Sequence, residues 1–147
     1  MRISYFLLAF TIGAGVAVQA GLNAQLRDYV GHPLFAALTN FVVGTLCLIG
    51  LLLVLRVPWP AAVGMKTAPI WLWLGGLLGA FYVASAVLIA PKLGAAVMFA
   101  LLIAGQVAMS LILDHYGLIG FPRHPIGFWR IIGGALLVVG VVLVVRN

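Results

Sequence analysis

Five apolar segments, each about long enough to cross a lipid bilayer, fill most of this 147-residue chain. A helix needs about 20 residues to cross the hydrocarbon core of a bilayer. The segments cover residues 3–23, 34–55, 70–90, 93–113 and 127–145. Too few residues remain between them for a soluble domain. The sequence therefore predicts one transmembrane domain of five helices over residues 1–147.

The composition excludes a soluble fold. Charged residues make up 7% of the chain, whereas a soluble domain carries about 25%. Inside a membrane every backbone polar group must be bonded internally, which leaves helices or a closed barrel. The apolar segments show no alternation of polar and apolar residues, so helices are favoured over a barrel. The first apolar run is also long for a signal peptide, and we expect it to remain as a helix.

The net charge of +6 comes from eight basic residues that lie mostly near the ends of the apolar segments. That placement is typical of residues that contact lipid headgroups rather than nucleic acid. We therefore expect the lipid bilayer, and no nucleic acid, among the partners of the chain.

The distribution of the basic residues between the two membrane faces gives a weak orientation signal. Five spans put the termini on opposite faces. The N-terminal face carries Arg2, Arg56, Lys66, Arg123 and Arg130, and the other face carries Arg27, Lys92 and Arg146. Five against three favours a cytoplasmic N-terminus only slightly. So small a bias is what a protein inserted in both orientations would show, and a single orientation is the alternative.

Polar side chains inside the spans are the candidate site residues, because each is costly in lipid. Four of the five helices each carry one short polar stripe. From these stripes we expect five side chains to bind a solute: Gln19, Asn23, Asn40, Tyr82 and Gln106. The alternative is that these groups only join helices by hydrogen bonds, each worth about 0.6 kcal/mol.

The sequence lacks the residues that several kinds of site would require. No Asp or Glu lies near the centre of a span, and Asp114 stands at the loop end of the fourth helix. A proton-coupled exporter usually needs a titratable group in the membrane centre. The three histidines have no metal-binding spacing, and no nucleophile motif or phosphate-binding loop is present. We therefore expect no metal, no cofactor and no enzymatic activity.

Several short motifs resemble the YdcZ-like family of small bacterial membrane proteins, within the drug/metabolite transporter superfamily. They are residues 91–96 (PKLGAA), 105–106 (GQ) and 114–120 (DHYGLIG), with Gly15, Gln19 and Asn23 in the first helix. The resemblance implies a five-helix half-unit that pairs with a second copy in the opposite orientation. It does not define a substrate. The central glutamate of the small multidrug exporters in that superfamily is missing, so their proton exchange is not carried over.

The combined interpretation is an all-α integral protein of the bacterial inner membrane. We expect an antiparallel, dual-topology homodimer that acts as a secondary transporter of a small polar or amphipathic solute. Opposed repeats around a central site are a recurring transporter architecture, which two opposed copies would supply. The alternatives are a small non-transporting subunit or scaffold of a larger assembly, and a passive channel.

Overall fold

The computed structural model describes residues 2–60 and 67–146, and within these ranges the regular structure is entirely helical. A short 3-10 turn, Ile70–Trp73, leads into the third helix. The helices are α1 (Arg2–Val30), α2 (Pro33–Val54), α3 (Leu74–Leu93), α4 (Ala95–Tyr116) and α5 (Phe128–Arg146). The structure thus has five helices long and apolar enough to cross a membrane. The predicted all-α fold with five spans is confirmed.

The first helix is longer than the sequence indicated. It runs on to Val30, seven residues beyond the predicted end at residue 23 (30 − 23 = 7). No helix-breaking residue occurs until Gly31, which adopts a φ of 78° that favours glycine. Pro33 then starts α2, where His32 Nδ1 accepts a hydrogen bond from the Leu34 N–H at 3.2 Å. The predicted polar turn is therefore reduced to two residues, which bring α1 and α2 together as a helical hairpin.

The contacts group the chain into two compact units, Met1–Pro91 and Lys92–Asn147. In the first unit α1 contacts α2, and Ala20, Ala36 and Ala37 are buried. A Cβ atom placed on Gly79 of α3 would lie 3.7 Å from the Phe41 ring, an ordinary van der Waals distance, so α3 approaches that ring closely at Gly79. The single five-helix domain remains a prediction.

The second unit contains the pair α4 and α5, which contact each other. Gly134 of α5 faces Leu111 of α4, whose Cδ1 would lie 3.6 Å from a Cβ atom built on the glycine. Small residues let membrane helices approach closely. Among the glycines inside the described helices, only Gly134 and Gly79 have an atom of another helix within 4 Å of a built Cβ.

Most of the apolar surface of the helices is not covered by the chain itself. In no span are more than 17% of the residues of the hydrophobic window buried. In water such a surface would aggregate, whereas lipid tails are as apolar as leucine and can cover it. The surface therefore suits a protein whose helices face lipid or a further membrane-embedded partner.

A candidate polar site in the membrane-spanning helices

Among the described residues, Asn23 is the one polar residue that is buried. Only 6% of its surface is exposed, and it lies on the face of α1 that also contains the buried Ala20. The side chain makes no hydrogen bond within residues 2–60 and 67–146. The described residues contain no side-chain nitrogen or oxygen that is both fully buried and unbonded. The amide atoms of Asn23 must therefore retain some accessible surface. An amide that is largely buried without a partner is unfavourable, so a hydrogen-bond partner from outside the described fold would stabilise Asn23.

Gln19 and Asn40 are joined across the hairpin next to Asn23. The Gln19 Nε2 group donates a long hydrogen bond of 3.4 Å to Asn40 Oδ1. Gln19 lies one helical turn before Asn23, on a neighbouring part of the same surface. An amide group offers two donors and an oxygen with two lone pairs, and this bond uses one donor and one lone pair. Three carboxamides on one hairpin therefore keep most of their hydrogen-bonding capacity.

Tyr82 and Gln106 are not joined to these residues by hydrogen bonds in the described part of the chain. Tyr82 is half-buried on α3, beside the buried Val83 and Ala86. Gln106 is exposed and belongs to the second compact unit. Within the first unit the structure thus pairs Gln19 with Asn40, one helical turn from Asn23, and no described hydrogen bond ties Tyr82 to them. The solute-binding role of all five remains a prediction.

Three of the five residues, Gln19, Tyr82 and Gln106, lie well inside their helices, and Asn23 and Asn40 lie nearer a helix end. Gln19 and Tyr82 each stand about 11 residues before the ends of α1 and α3, or roughly 17 Å at 1.5 Å per residue. Gln106 stands about 11 residues after the start of α4, which is the same distance. Asn23 and Asn40 lie about one turn nearer the helix ends. Half of a hydrocarbon core of about 30 Å is roughly 15 Å, so Gln19, Tyr82 and Gln106 each stand about half a bilayer core from one end of their own helix.

The charged groups lie nearer the helix ends than the five polar residues do. Arg27, one turn beyond Asn23, binds Asp28 Oδ1 through Nε at 3.2 Å and Nη2 at 2.8 Å. Asp114, at the end of α4, binds Arg130 Nη1 at 3.0 Å. Both acids of the chain are therefore paired with an arginine.

A second polar cluster was not anticipated from the sequence. Besides Asp114, Arg130 Nη1 contacts the His124 carbonyl at 3.2 Å, and His115 Nδ1 accepts from the Ile126 N–H at 3.1 Å. Arg123 Nε donates to the His115 carbonyl at 3.2 Å. These bonds hold the loop between α4 and α5 against the helix ends. Two opposite charges that flank one loop were the available signal for this ion pair.

Comparisons with known proteins agree with the earlier resemblance. Residues 4–143 match the family described as "Putative inner membrane exporter, YdcZ". The chain is 33% identical over 153 aligned positions to the Inner membrane protein YdcZ of Escherichia coli (strain K12), and the alignment covers 95% of each protein. No solved structure matches the chain. Since the family match and the relative both extend over almost the whole sequence, the chain belongs to the YdcZ-like family of bacterial inner membrane proteins.

Proposed function

We propose that this protein is a secondary transporter of a small polar or amphipathic solute and that two copies in opposite orientations form the transport unit. Family membership supports the coarser part of this proposal, a membrane transporter rather than an enzyme. The family description and the name of the relative leave the substrate and the assembly open.

The observation that carries the proposal is the unpartnered amide of Asn23 beside the Gln19–Asn40 pair. If these side chains only joined helices, the most buried of them would be expected to have a hydrogen-bond partner in the fold. A transported solute that passes the membrane centre would supply that partner. Polar groups inside transmembrane helices commonly mark such a path.

The depth of the polar group supports the inverted pair. Inverting a copy about an axis in the membrane plane exchanges the two faces and leaves the midplane in place. Gln19, Tyr82 and Gln106 of both copies would then lie at similar depths, so the two copies could share one central path. Transporters built from inverted repeats hold their substrates near the midplane in this way. In the proposed dimer all five residues line that path by hydrogen bonding: Gln19, Asn23, Asn40, Tyr82 and Gln106.

Reconstituted protein should release specific solutes from liposomes in a saturable manner. The liposomes are loaded with an equimolar mixture of small uncharged, cationic and anionic solutes, and mass spectrometry follows what remains inside. We expect a few solutes to leave faster through the wild type than through the Asn23→Leu variant. Thr11→Val is the matched control, since its hydroxyl bonds the Leu7 carbonyl of its own helix at 2.9 Å.

Three results would contradict the proposed function. Equal release from protein-free and protein-containing liposomes would show that the protein does not transport these solutes. Release of many unrelated solutes without saturation would indicate a channel. Loss of release in Thr11→Val as well as in Asn23→Leu would show that the effect does not come from the site.

A further inference from the structure

The charge balance around the polar site bears on the class of solute, and this inference rests on the proposed function. Among the described residues, every Asp, Lys and Arg lies in a loop or within about one turn of a helix end. The nearest charged side chain along α1 is Arg27, whose guanidinium is already bonded to Asp28 through two nitrogens. The charged group nearest to the carboxamides along their own hairpin is therefore Arg27, and its charge is balanced by the adjacent Asp28.

A charged solute would be poorly stabilised in such a site. Moving an ion from water to a weakly polar region is strongly unfavourable unless an opposite charge compensates. The carboxamides of Gln19, Asn23 and Asn40 offer dipoles only. The half-buried Tyr82 of α3 adds a hydroxyl to the same unit, and α2 between Pro33 and Val54 carries no charged residue.

The unused hydrogen-bonding groups match a solute with both donors and acceptors. Each carboxamide presents N–H donors and a carbonyl acceptor side by side, and the 3.4 Å bond between Gln19 and Asn40 occupies one of each. A primary amide or a vicinal diol presents the complementary pair of groups. A purely apolar solute would leave the Asn23 amide without a partner, as it is in the fold alone.

We propose that the solute of this site is uncharged and carries neighbouring hydrogen-bond donors and acceptors, as small amides and polyols do. Its passage transfers no net charge. Asn23 is the residue that distinguishes such a solute from an ion of similar shape.

The liposome mixture tests this proposal when the released solutes are sorted by charge. The mixture contains size-matched sets, such as benzamide with benzoate and benzamidinium, and nicotinamide with nicotinate and 1-methylnicotinamide. We expect Asn23-dependent release to be confined to the uncharged members and to produce no current on a solid-supported membrane. Asn23-dependent release of the cations or anions would overturn the solute class and leave the proposed transport function intact. If no solute shows Asn23-dependent release, the transport function fails, and the solute class fails with it.

A charge introduced at the site gives a second test. Asn23→Asp places a carboxylate in the hairpin, and we expect it to reduce release of the uncharged amide at least tenfold and to favour the matching amidinium. Asn40→Asp serves the same purpose if the first variant does not fold. Unchanged preference for the uncharged member in a folded variant of either kind would overturn the proposal.

Discussion

An Asn23→Leu protein is expected to be more stable than the wild type and yet inactive in solute release. Leucine has the same number and branching of side-chain heavy atoms as asparagine and has no polar group that needs a partner. The wild-type residue is 6% exposed and its amide is unbonded in the described chain, so its removal should relieve part of the penalty of about 1 to 3 kcal/mol that a fully buried, unbonded group carries. Reversible unfolding in mixed detergent and SDS micelles measures the free energy, and the liposome assay measures the release.

Asn40→Leu provides the contrast for this prediction. Asn40 accepts the hydrogen bond from Gln19, so its replacement should lower the free energy of unfolding by roughly 0.6 kcal/mol, the average for such bonds in membranes. The two asparagines should thus change stability in opposite directions. If Asn23→Leu destabilises the protein as Asn40→Leu does, the Asn23 amide joins helices within an assembly and is not available to bind a solute.

Replacing Gly94 with alanine is expected to destabilise the protein by about 1 to 3 kcal/mol, because the native backbone conformation there is almost restricted to glycine. Gly94 has φ 75° and ψ 159° and stands at the break between α3 and α4. Its carbonyl accepts the first hydrogen bond of α4, from the Met98 N–H at 3.1 Å. No described atom lies within 4 Å of a Cβ built there, so the expected cost is backbone strain and not a clash.

Gly50→Ala is the matched control, because Gly50 lies inside α2 and also has no neighbour within 4 Å of a built Cβ. Alanine in a helix interior is favoured over glycine by up to about 1 kcal/mol, so this variant should be slightly stabilised. The comparison uses the same micelle unfolding assay. Equal effects of the two substitutions would show that the chain at Gly94 adopts a conformation open to other residues.

The five spans could be predicted from the sequence because membrane thickness sets the length of an apolar run. The end of α1 could not, since the apolar run stops near Asn23 while the helix continues through Arg27 and Asp28 to Val30. Hydropathy marks where lipid contact ends. Helix termination instead depends on Gly31 and Pro33, the local residues that end one helix and start the next.

The candidate site was predictable in its residue types and less so in its contacts. Polar side chains are energetically unfavourable in lipid, so Gln19, Asn23 and Asn40 can be identified as candidates without knowledge of their neighbours. The pairing of Gln19 with Asn40, which leaves Asn23 unbonded, depends on how α1 and α2 are rotated against each other. The buried residues Ala20, Ala36 and Ala37 belong to these two helices, and a hydropathy pattern does not reveal how they pack. The same limit applies to Asp114 and Arg130, whose pairing follows from the path of their loop.

The most direct test of the inverted pair is the orientation of single cysteines in intact cells. Cys47, the single cysteine of the chain, is first changed to serine. One cysteine is then introduced by Tyr29→Cys, at the end of α1, or by Phe121→Cys, in the loop between α4 and α5; these side chains are 88% and 52% exposed.

A membrane-impermeant thiol reagent added outside the cells should label each variant to about half of the level reached in opened membranes, because the weak basic-residue bias permits both orientations. Complete labelling of one variant and none of the other would show a single orientation and contradict the inverted homodimer.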